Sequence, residues 1–508
     1  MMHFSSASML DKAILAVSPQ RGLSRIQAKI EAKILMNYDA ASNGRRVKGW
    51  RSPATDADAA SRGGRGTMRQ RSRDMIRNAP FAKRAQSVIT NNVVGSGITP
   101  SITGRSKKQA DLAAAKILPF LQSTDLDKHR ALNLASMQTV VMNSVVESGE
   151  VLAIRHVRAN DGRALPLAVE LVEVDHLNTV ITDHGGNEVR DGIEFDADGV
   201  AVAYHLYEQH PGSASRKISI KTQRIPAEHV LHIRRIDRPG QMRGVPWLAP
   251  VMVTLGEMRD YQEAQILKQK ISALLAGVIK PGDSGKLPSD APGLDQLAPG
   301  ALVYAEQGQE VIFTDPPKVD DYDVVMRLGL SAVAMGIGIT YESLSGDLSR
   351  VNYSSMRAGR LEMDKNIETW QEQIMIAQFC AGIGRWALDA YRLTQTKRLS
   401  PLEVSWTAQR RALIDPVKEI PSILAKIAGG LSSLSREQRA MGLDPDIIAQ
   451  ERKDDAARLD GLAAGMADQE RQSVGMRAVI ALMQLIAGDD PADFTGSLKG
   501  ESEYERTD

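Results

Sequence analysis

Val245 to Gly277 reads VPWLAPVMVTLGEMRDYQEAQILKQKISALLAG, and the fold turns on what this stretch can be. Helical throughout, it would span roughly 50 Å at 1.5 Å per residue. Its middle, Glu257 to Lys270, places polar or charged side chains on nearly every face. A helix without a wide apolar stripe is not buried in one globule; it bridges through solvent or packs against copies of itself. Glu257, Asp260 and Glu263 are offset by Arg259, Lys268 and Lys270, so the helix is locally neutral.

Outward from that helix, the chain changes character on both sides. Before it, residues 150–236 hold short runs rich in β-branched residues: Glu150–Val157, Ala168–Val174, Gly192–Phe195, Val202–Tyr207 and His229–Ile233. Turn residues punctuate them (Asn160-Asp161-Gly162, Gly185-Gly186, Asp198-Gly199, Pro211-Gly212), which predicts a mostly antiparallel meander. Helical patterns precede the strands at Thr67–Thr90, Lys107–Leu121 and His129–Ser148, the last stopping at Gly149, and Pro80 interrupts the first. Helices and meander together make an α+β unit. Asn43–Gly66 reads as an irregular connector.

After the long helix, Val278–Pro316 is rich in Pro and Gly, with strand candidates Ala301–Tyr304 and Glu310–Phe313. A helix over Asp321–Met335, a polar stretch Ser343–Ser355 and a long helix Met356–Tyr391 follow. From Pro401 the pattern is of short helices separated by Gly429-Gly430, Gly442 and Gly461. The acidic end, Gly488–Asp508, is expected to be disordered. No repeat of fixed period occurs.

The 508 residues suffice for several cooperating units. Aromatics at 4% disfavour a single-strand binder built on stacking platforms. One cysteine, Cys380, supports neither an intramolecular disulfide nor a thiolate cage, and a reducing place of synthesis fits. No apolar run reaches the roughly 18 to 20 residues that span a bilayer, and the first 20 residues do not read as a signal peptide. The net charge of +1 conceals an asymmetry: residues 1–90 carry 17 Lys and Arg against 6 acidic residues, and the remainder is acidic by 10. Such a leading segment points to a polyanion or an acidic protein, or else to a solvated arm.

Catalytic patterns are absent. Gly282 to Leu287 lacks the first glycine and the Ser/Thr of a phosphate loop, and neither a nucleophile elbow nor HExxH occurs. His229 and His232, three apart on a strand-like run, point to opposite faces and read as structural. Asp175-His176 reads the same way, and Cys380 reads as a buried small hydrophobe. Asp320, Asp321 and Asp323 open a helix, where the dipole favours carboxylates. No catalytic residue, cofactor or metal is expected.

Four stretches together resemble the portal (head–tail connector) family of lambda-type tailed phages. They are Arg69–Pro100 (RQRSRDMIRNAPFAKRAQSVITNNVVGSGITP), Ile225–Pro250 (IPAEHVLHIRRIDRPGQMRGVPWLAP), Met335–Arg357 (MGIGITYESLSGDLSRVNYSSMR) and, more weakly, Asp415–Gly442. The RPGQMRGVPWLAP core is the most specific of them. The resemblance covers about residues 65–450 in order, and it implies a helix-rich α+β portal fold assembled as a ring, typically of about twelve subunits through closing head-to-tail interfaces.

After a basic, partly disordered N-terminal segment (1–66) that the charge pattern alone suggests, it implies a mixed α/β wing (67–243), a first stem helix (245–277), a small α/β clip (278–316) and a second stem helix (320–339). A channel loop (340–355), a long wing helix (356–400), a helical crown (401–465) and a tail (466–508) complete it. The loop residues are Ser345, Asp347, Arg350, Asn352, Tyr353 and Ser354, and the stem lining is Glu257, Asp260, Glu263, Lys268 and Lys270. Val303, Tyr304, Val311 and Phe313 of the clip would meet terminase. The basic helix offers Arg69, Arg71, Arg73 and Arg77; Arg69 and Arg73 share a face, and an acidic protein surface is favoured over DNA as their partner.

The implied function is a conduit at one capsid vertex for packaging and ejecting double-stranded DNA, without sequence preference. The implied partners are the terminase large subunit, major capsid and scaffold proteins and a head-completion or tail-joining protein, with no membrane. The implied location is the virion, after assembly in the host cytoplasm. The competing readings are a nucleic-acid-processing enzyme and a monomeric DNA-binding protein using residues 1–90.

Overall fold

The computed structural model describes residue 18 and residues 54–158, 161–214, 221–273, 277–280, 310–313, 322–397, 399–409, 415–443 and 445–463. Expectations about residues 1–53, Ala301–Tyr304, Asp320, Asp321 and Gly488–Asp508 fall outside these. The chain divides into two compact units, Met1–Ala60 and Ser61–Asp508, and every element named here lies in the second.

Helices α1 (Arg65–Asn78) and α2 (Pro80–Val93) meet at Ala79, which is extended at φ −112° and ψ 119°. Proline disfavours helical geometry in the residue before it and suits the first helical position, so Pro80 ends one helix and opens the next. In α2 the buried Ala82, Ala85, Ile89 and Val93 recur three and four apart, which is the stripe that fixes the helix on the core. Strand β1 (Thr99–Gly104), α3 (Lys107–Gln122) and α4 (Leu134–Ser148) follow. Asn133 caps α4 by accepting the Ser136 N–H at 2.9 Å, and Gly149 ends it at φ 88°. A Cβ on Gly149 would lie 2.4 Å from the Val245 carbonyl carbon, and one on Gly244 would lie 2.2 Å from the Gly149 oxygen. Two glycines let these backbones cross; no other residue pair would.

The strands are β2 (Glu150–His156), β3 (Ala168–Val172), β4 (Asp183–His184), β5 (Asn187–Arg190), β6 (Ile193–Phe195), β7 (Ala201–Tyr207), β8 (Thr222–Pro226) and β9 (Val230–Arg234). The single meander expected here is two antiparallel sheets, one ordered β3-β2-β9 and one ordered β4-β5-β6-β7-β8. The reason lies in β2, which is buried on both faces. Its Val151 and Ala153 enter the main core, while Leu152 and Ile154 enter a smaller core with Ile193, Phe195, Tyr204 and Leu206. β9 returns to pair with β2, Leu152 opposite His232, and so separates the two sheets.

Beyond the two sheets come α5 (Met252–Ala273), β10 (Gly277–Lys280), β11 (Glu310–Phe313), α6 (Tyr322–Ile337), α7 (Tyr341–Ser345) and α8 (Tyr353–Trp370). A π-helical stretch Gln371–Cys380 joins α8 to α9 (Ala381–Leu393), and β12 (Leu402–Thr407), α10 (Pro416–Ala428), α11 (Leu434–Ala440) and α12 (Pro445–Ala463) complete the described chain. Several expectations are corrected. Residues 247–251 are turns, because Pro250 inside a helix would clash with the turn before it. Gly277 starts a strand instead of ending a helix, and β11 pairs with β10, Ile279 opposite Val311. Residues 402–407, expected among short helices, pair with β1, Gly104 opposite Leu402. Gly461 lies inside α12. The long helix carries the π stretch, where Gln371 turns inward and its amide donates to the Val93 carbonyl at 2.9 Å.

Candidate functional site

Two sets of residues were marked by the sequence, the basic helix and the channel elements, and the structure treats them oppositely. The basic helix is folded into a buried ionic cluster centred on Glu150, the first residue of β2. Glu150 Oε1 accepts from Arg243 Nη2 at 2.8 Å, and Oε2 accepts from the Gly244 N–H at 2.7 Å. His232 Nε2 lies 2.9 Å from Oε2. Burial pushes the Glu150 carboxyl up, but Arg243 and the hydrogen bond from His232 outweigh it and hold the group well below the usual range. Burial dominates at His232, which is pushed down to about 4, so the ring is neutral at pH 7 and donates.

Arg69 and Arg73 reach this cluster from α1. Arg69 Nη1 is 3.9 Å from Glu150 and its Nε 3.6 Å from Asp175. Arg73 donates to Ser148 Oγ at 3.1 Å and to Asp175 Oδ2 at 2.7 Å, and lies 3.3 Å from Glu173. The shared face is real, but its acidic partners belong to the same chain. Neither a neighbouring subunit nor DNA is needed to balance these two charges, because Glu150 at the start of β2 and Glu173 and Asp175 just after β3 supply the carboxylates. Arg71 and Arg77 are exposed. Asp191 takes Arg62 and Arg65 at 3.0 Å each, and its backbone oxygen accepts from Arg243 at 2.9 Å.

Glu173, Asp175 and His210 bring three potential ligand atoms within 4.8 Å of one another. Arg73 already holds the cation's place between the two carboxylates, so the donor set does not call for a metal. His176 Nδ1 faces the Tyr207 carbonyl at 2.9 Å, which leaves Asp175-His176 structural. Cys380 is buried beside Gln138, and burial pushes its thiol up.

The RPGQMRGVP segment is explained by the same cluster. Gln241 Oε1 accepts from the Asp237 N–H at 2.9 Å, and Gln241 Nε2 donates to the Arg243 carbonyl at 2.9 Å, closing the loop that presents Arg243. Arg235 lies over the Trp247 ring at 4.7 Å. Sequence reasoning marked this motif without giving Gln241, Arg243 or Glu150 a role. An acidic residue directly after a helix-ending glycine, at the head of an apolar strand, was the available signal.

The elements expected to line a channel are open. No side chain described on α5 from Arg259 to Lys270 is buried. α5 meets α6 where Met258 Sδ would be 2.7 Å from a Cβ on Gly329 and where Tyr261 stacks on Tyr322, with ring centroids 5.8 Å apart. Glu257, Asp260, Glu263 and Lys270 are exposed, and Lys268 is half-buried. Apolar side chains are exposed too: Val253, Ile266 and Leu267 on α5, and Val325, Leu328 and Met335 on α6.

The expected loop holds the short α7 before it opens at Gly346. Ser345 Oγ accepts the Asp347 N–H at 3.1 Å, and Arg350 donates to Asp323 at the start of α6 at 3.1 Å. Asn352 caps α8 through a reciprocal box with Ser355. Tyr353 and Ser354 are exposed on the first turn of α8. Of these residues Arg350 is tied to the start of α6, whereas the contacts of Ser345, Asp347 and Asn352 are local to the loop and the first turn of α8. Val311 and Phe313 lie on β11; Val303 and Tyr304 fall outside the described residues.

A family model described as phage portal protein, lambda family, matches residues 43–371. The probable portal protein of Halomonas phage phiHAP-1 is 24% identical over 466 residues, covering 86% of this chain and 89% of that protein. Portal protein B of Escherichia phage lambda is 20% identical over 471 residues, covering 80% and 87%. A chain from the neck of an empty gene transfer agent particle is 16% identical with a TM-score of 0.45, over 79% of this chain and 98% of that one.

Proposed function

Because the chain belongs to the lambda family of phage portal proteins, a structural and non-enzymatic family, we propose that it assembles into a ring of about twelve copies at one capsid vertex. The ring is a conduit through which double-stranded DNA enters and leaves the virion. The observation that carries this reading is α5, a 22-residue helix that is buried at its start through Met252, Leu255 and Met258 and has no buried side chain described from Arg259 to Lys270. Its exposed Val253, Ile266 and Leu267 sit among charges of both signs, as suits a helix that gains neighbours only from other copies.

The charge balance along α5 fits a passage that must not grip. A duplex held by many cations is bound tightly in a salt-dependent way, and each contact would oppose movement. Glu257, Asp260 and Glu263 with Lys268 and Lys270 make the lining, and Ser345–Ser354 makes the constriction. The clip around β10 and β11 is the docking annulus for the packaging terminase and later for a head-completion protein. Capsid and scaffold proteins meet the ring from outside, and assembly takes place in the host cytoplasm.

The mass of the purified protein tests the ring. A particle near twelve times 55.3 kDa supports it, and a stable monomer overturns it. Removing residues 348–352 should leave rings intact while DNA packaging or retention fails. Normal packaging by that deletion would withdraw the constriction assignment.

A further inference from the structure

Away from the stem and loop, one corner of the wing collects cations that no described acid pairs with. Arg105, Lys107 and Lys108 are exposed between the end of β1 and the first turn of α3. The connection between α9 and β12 comes back to the same corner. Gly104 pairs with Leu402, and the Ser400 N–H donates to Gln109 Oε1 at 2.9 Å. Lys116, half-buried on α3, donates to Thr394 Oγ1 at 3.3 Å, which brings the exposed Lys397 into the group. The acidic residues nearby are Asp111 and Glu403, both exposed, so five cations face two carboxylates.

This contrasts with Arg69 and Arg73, whose charges are balanced inside the fold. An exposed cation without a partner gains nothing for folding, and like charges gathered on one corner repel one another at low salt. Outside residues 1–90 the chain is acidic by 10, so a local excess of cations departs from the composition of the rest of the chain.

We propose that this corner is a second contact for duplex DNA, outside the channel, made to phosphates without regard to sequence. Four of the five cations are lysines, which act as point charges on flexible stems and suit phosphates met in varying register better than a fixed carboxylate. From Lys107 to Lys116 the helix rises about 13 Å, a length over which a duplex presents roughly eight phosphate charges. Leu112 and Leu393 are exposed on the same two helices, so the rival occupant is an acidic protein surface.

The test uses the full chain and a 30-base-pair duplex of mixed sequence, with affinity followed by fluorescence anisotropy from 50 to 200 mM salt. A triple variant, Arg105→Gln/Lys107→Gln/Lys108→Gln, changes only exposed side chains, and an unchanged thermal midpoint confirms its fold. Losing three phosphate contacts should lower the slope of log K against log salt by about 2.7. The wild type should therefore lose about 40-fold more affinity than the variant across that range. An unchanged slope overturns the proposal. Unchanged duplex binding together with weakened poly-glutamate binding overturns it in favour of the acidic partner. Neither result depends on ring formation, which the particle mass reports separately.

Discussion

The Glu150 cluster and helix α5 carry similar densities of charge and use them in opposite ways. At Glu150, cations and carboxylates from α1, β2, β9 and the 241–244 loop are buried and matched within one chain. Along α5 most charges are exposed, and Arg259 lies 3.6 Å from Glu263, one turn on along the same helix. Buried charge locks a subunit to a single geometry, because removing any member strands the rest. Exposed charge beyond the buried start of α5 imposes no such geometry on the rest of the helix. The ionic cluster is balanced within the single chain, whereas Val253, Ile266 and Leu267 of α5 are left exposed by it.

The sharpest way to break the comparison is Glu150→Gln. It strands Arg243 and Arg69 in the interior, and the cost should be about 3 to 5 kcal/mol, read by urea denaturation of the monomer. Arg69→Ala/Arg73→Ala should also destabilise the wing before any ring forms. If that variant unfolds normally yet fails to oligomerise, the charges serve an interface after all. Ile266→Asp/Leu267→Asp on α5 should do the reverse, abolishing oligomers while the thermal midpoint of the subunit stays within a few degrees.

Acid should separate the two regions as well. Glu170 and Glu194 are held down to about 2, the first by the hydrogen bonds of His156 and Lys128 against its burial, the second chiefly by Arg224. Carboxylates with depressed values add stability that is fully present above about 4.5 and is lost as pH falls towards 2. His232 works in a higher window. Its folded value lies below the ordinary 6.5, so the unfolded chain binds the proton first, and stability falls as pH drops from 6.5 towards 4. Near-ultraviolet dichroism of the wing should therefore fade in two steps on acidification, and His232→Gln should remove the upper one. The smallest effect belongs to Asp323→Asn, which loosens the exposed pair with Arg350. Stability should change by less than about 1 kcal/mol, with faster proteolysis between Gly346 and Asn352 as the readout.

Much of this was legible in the residues. Pro80 and Gly149 marked helix ends because their backbones impose them, and β2, β3, β6, β7 and β9 lie within two residues of their apolar runs. What escaped was long-range. Leu402, Val404 and Trp406 alternate with Glu403 and Ser405, yet nothing local says that their partner is β1, some 300 positions away in the chain. At the start of the π stretch Gln371 reaches the Val93 carbonyl, a partner that no periodicity within the helix reveals. The facing of Arg69 and Arg73 could be read from their spacing, whereas the identity of the carboxylates opposite could not. Ion pairing is a tertiary property.

The crossing of Gly149 and Gly244 has a consequence in evolutionary terms. Every amino acid reachable from a glycine codon by one base change carries a Cβ, and at either position that atom would meet backbone at 2.4 Å or less, which cannot swing aside as a side chain can. No single substitution, and no compensating change at the partner, reopens the space. Exposed charges on α5 meet no such backbone, and surface loops can lengthen. The joint where α4, β2 and the approach to α5 meet cannot, so lineages that diverge everywhere else should still carry these two glycines as a fixed hinge-point of the subunit.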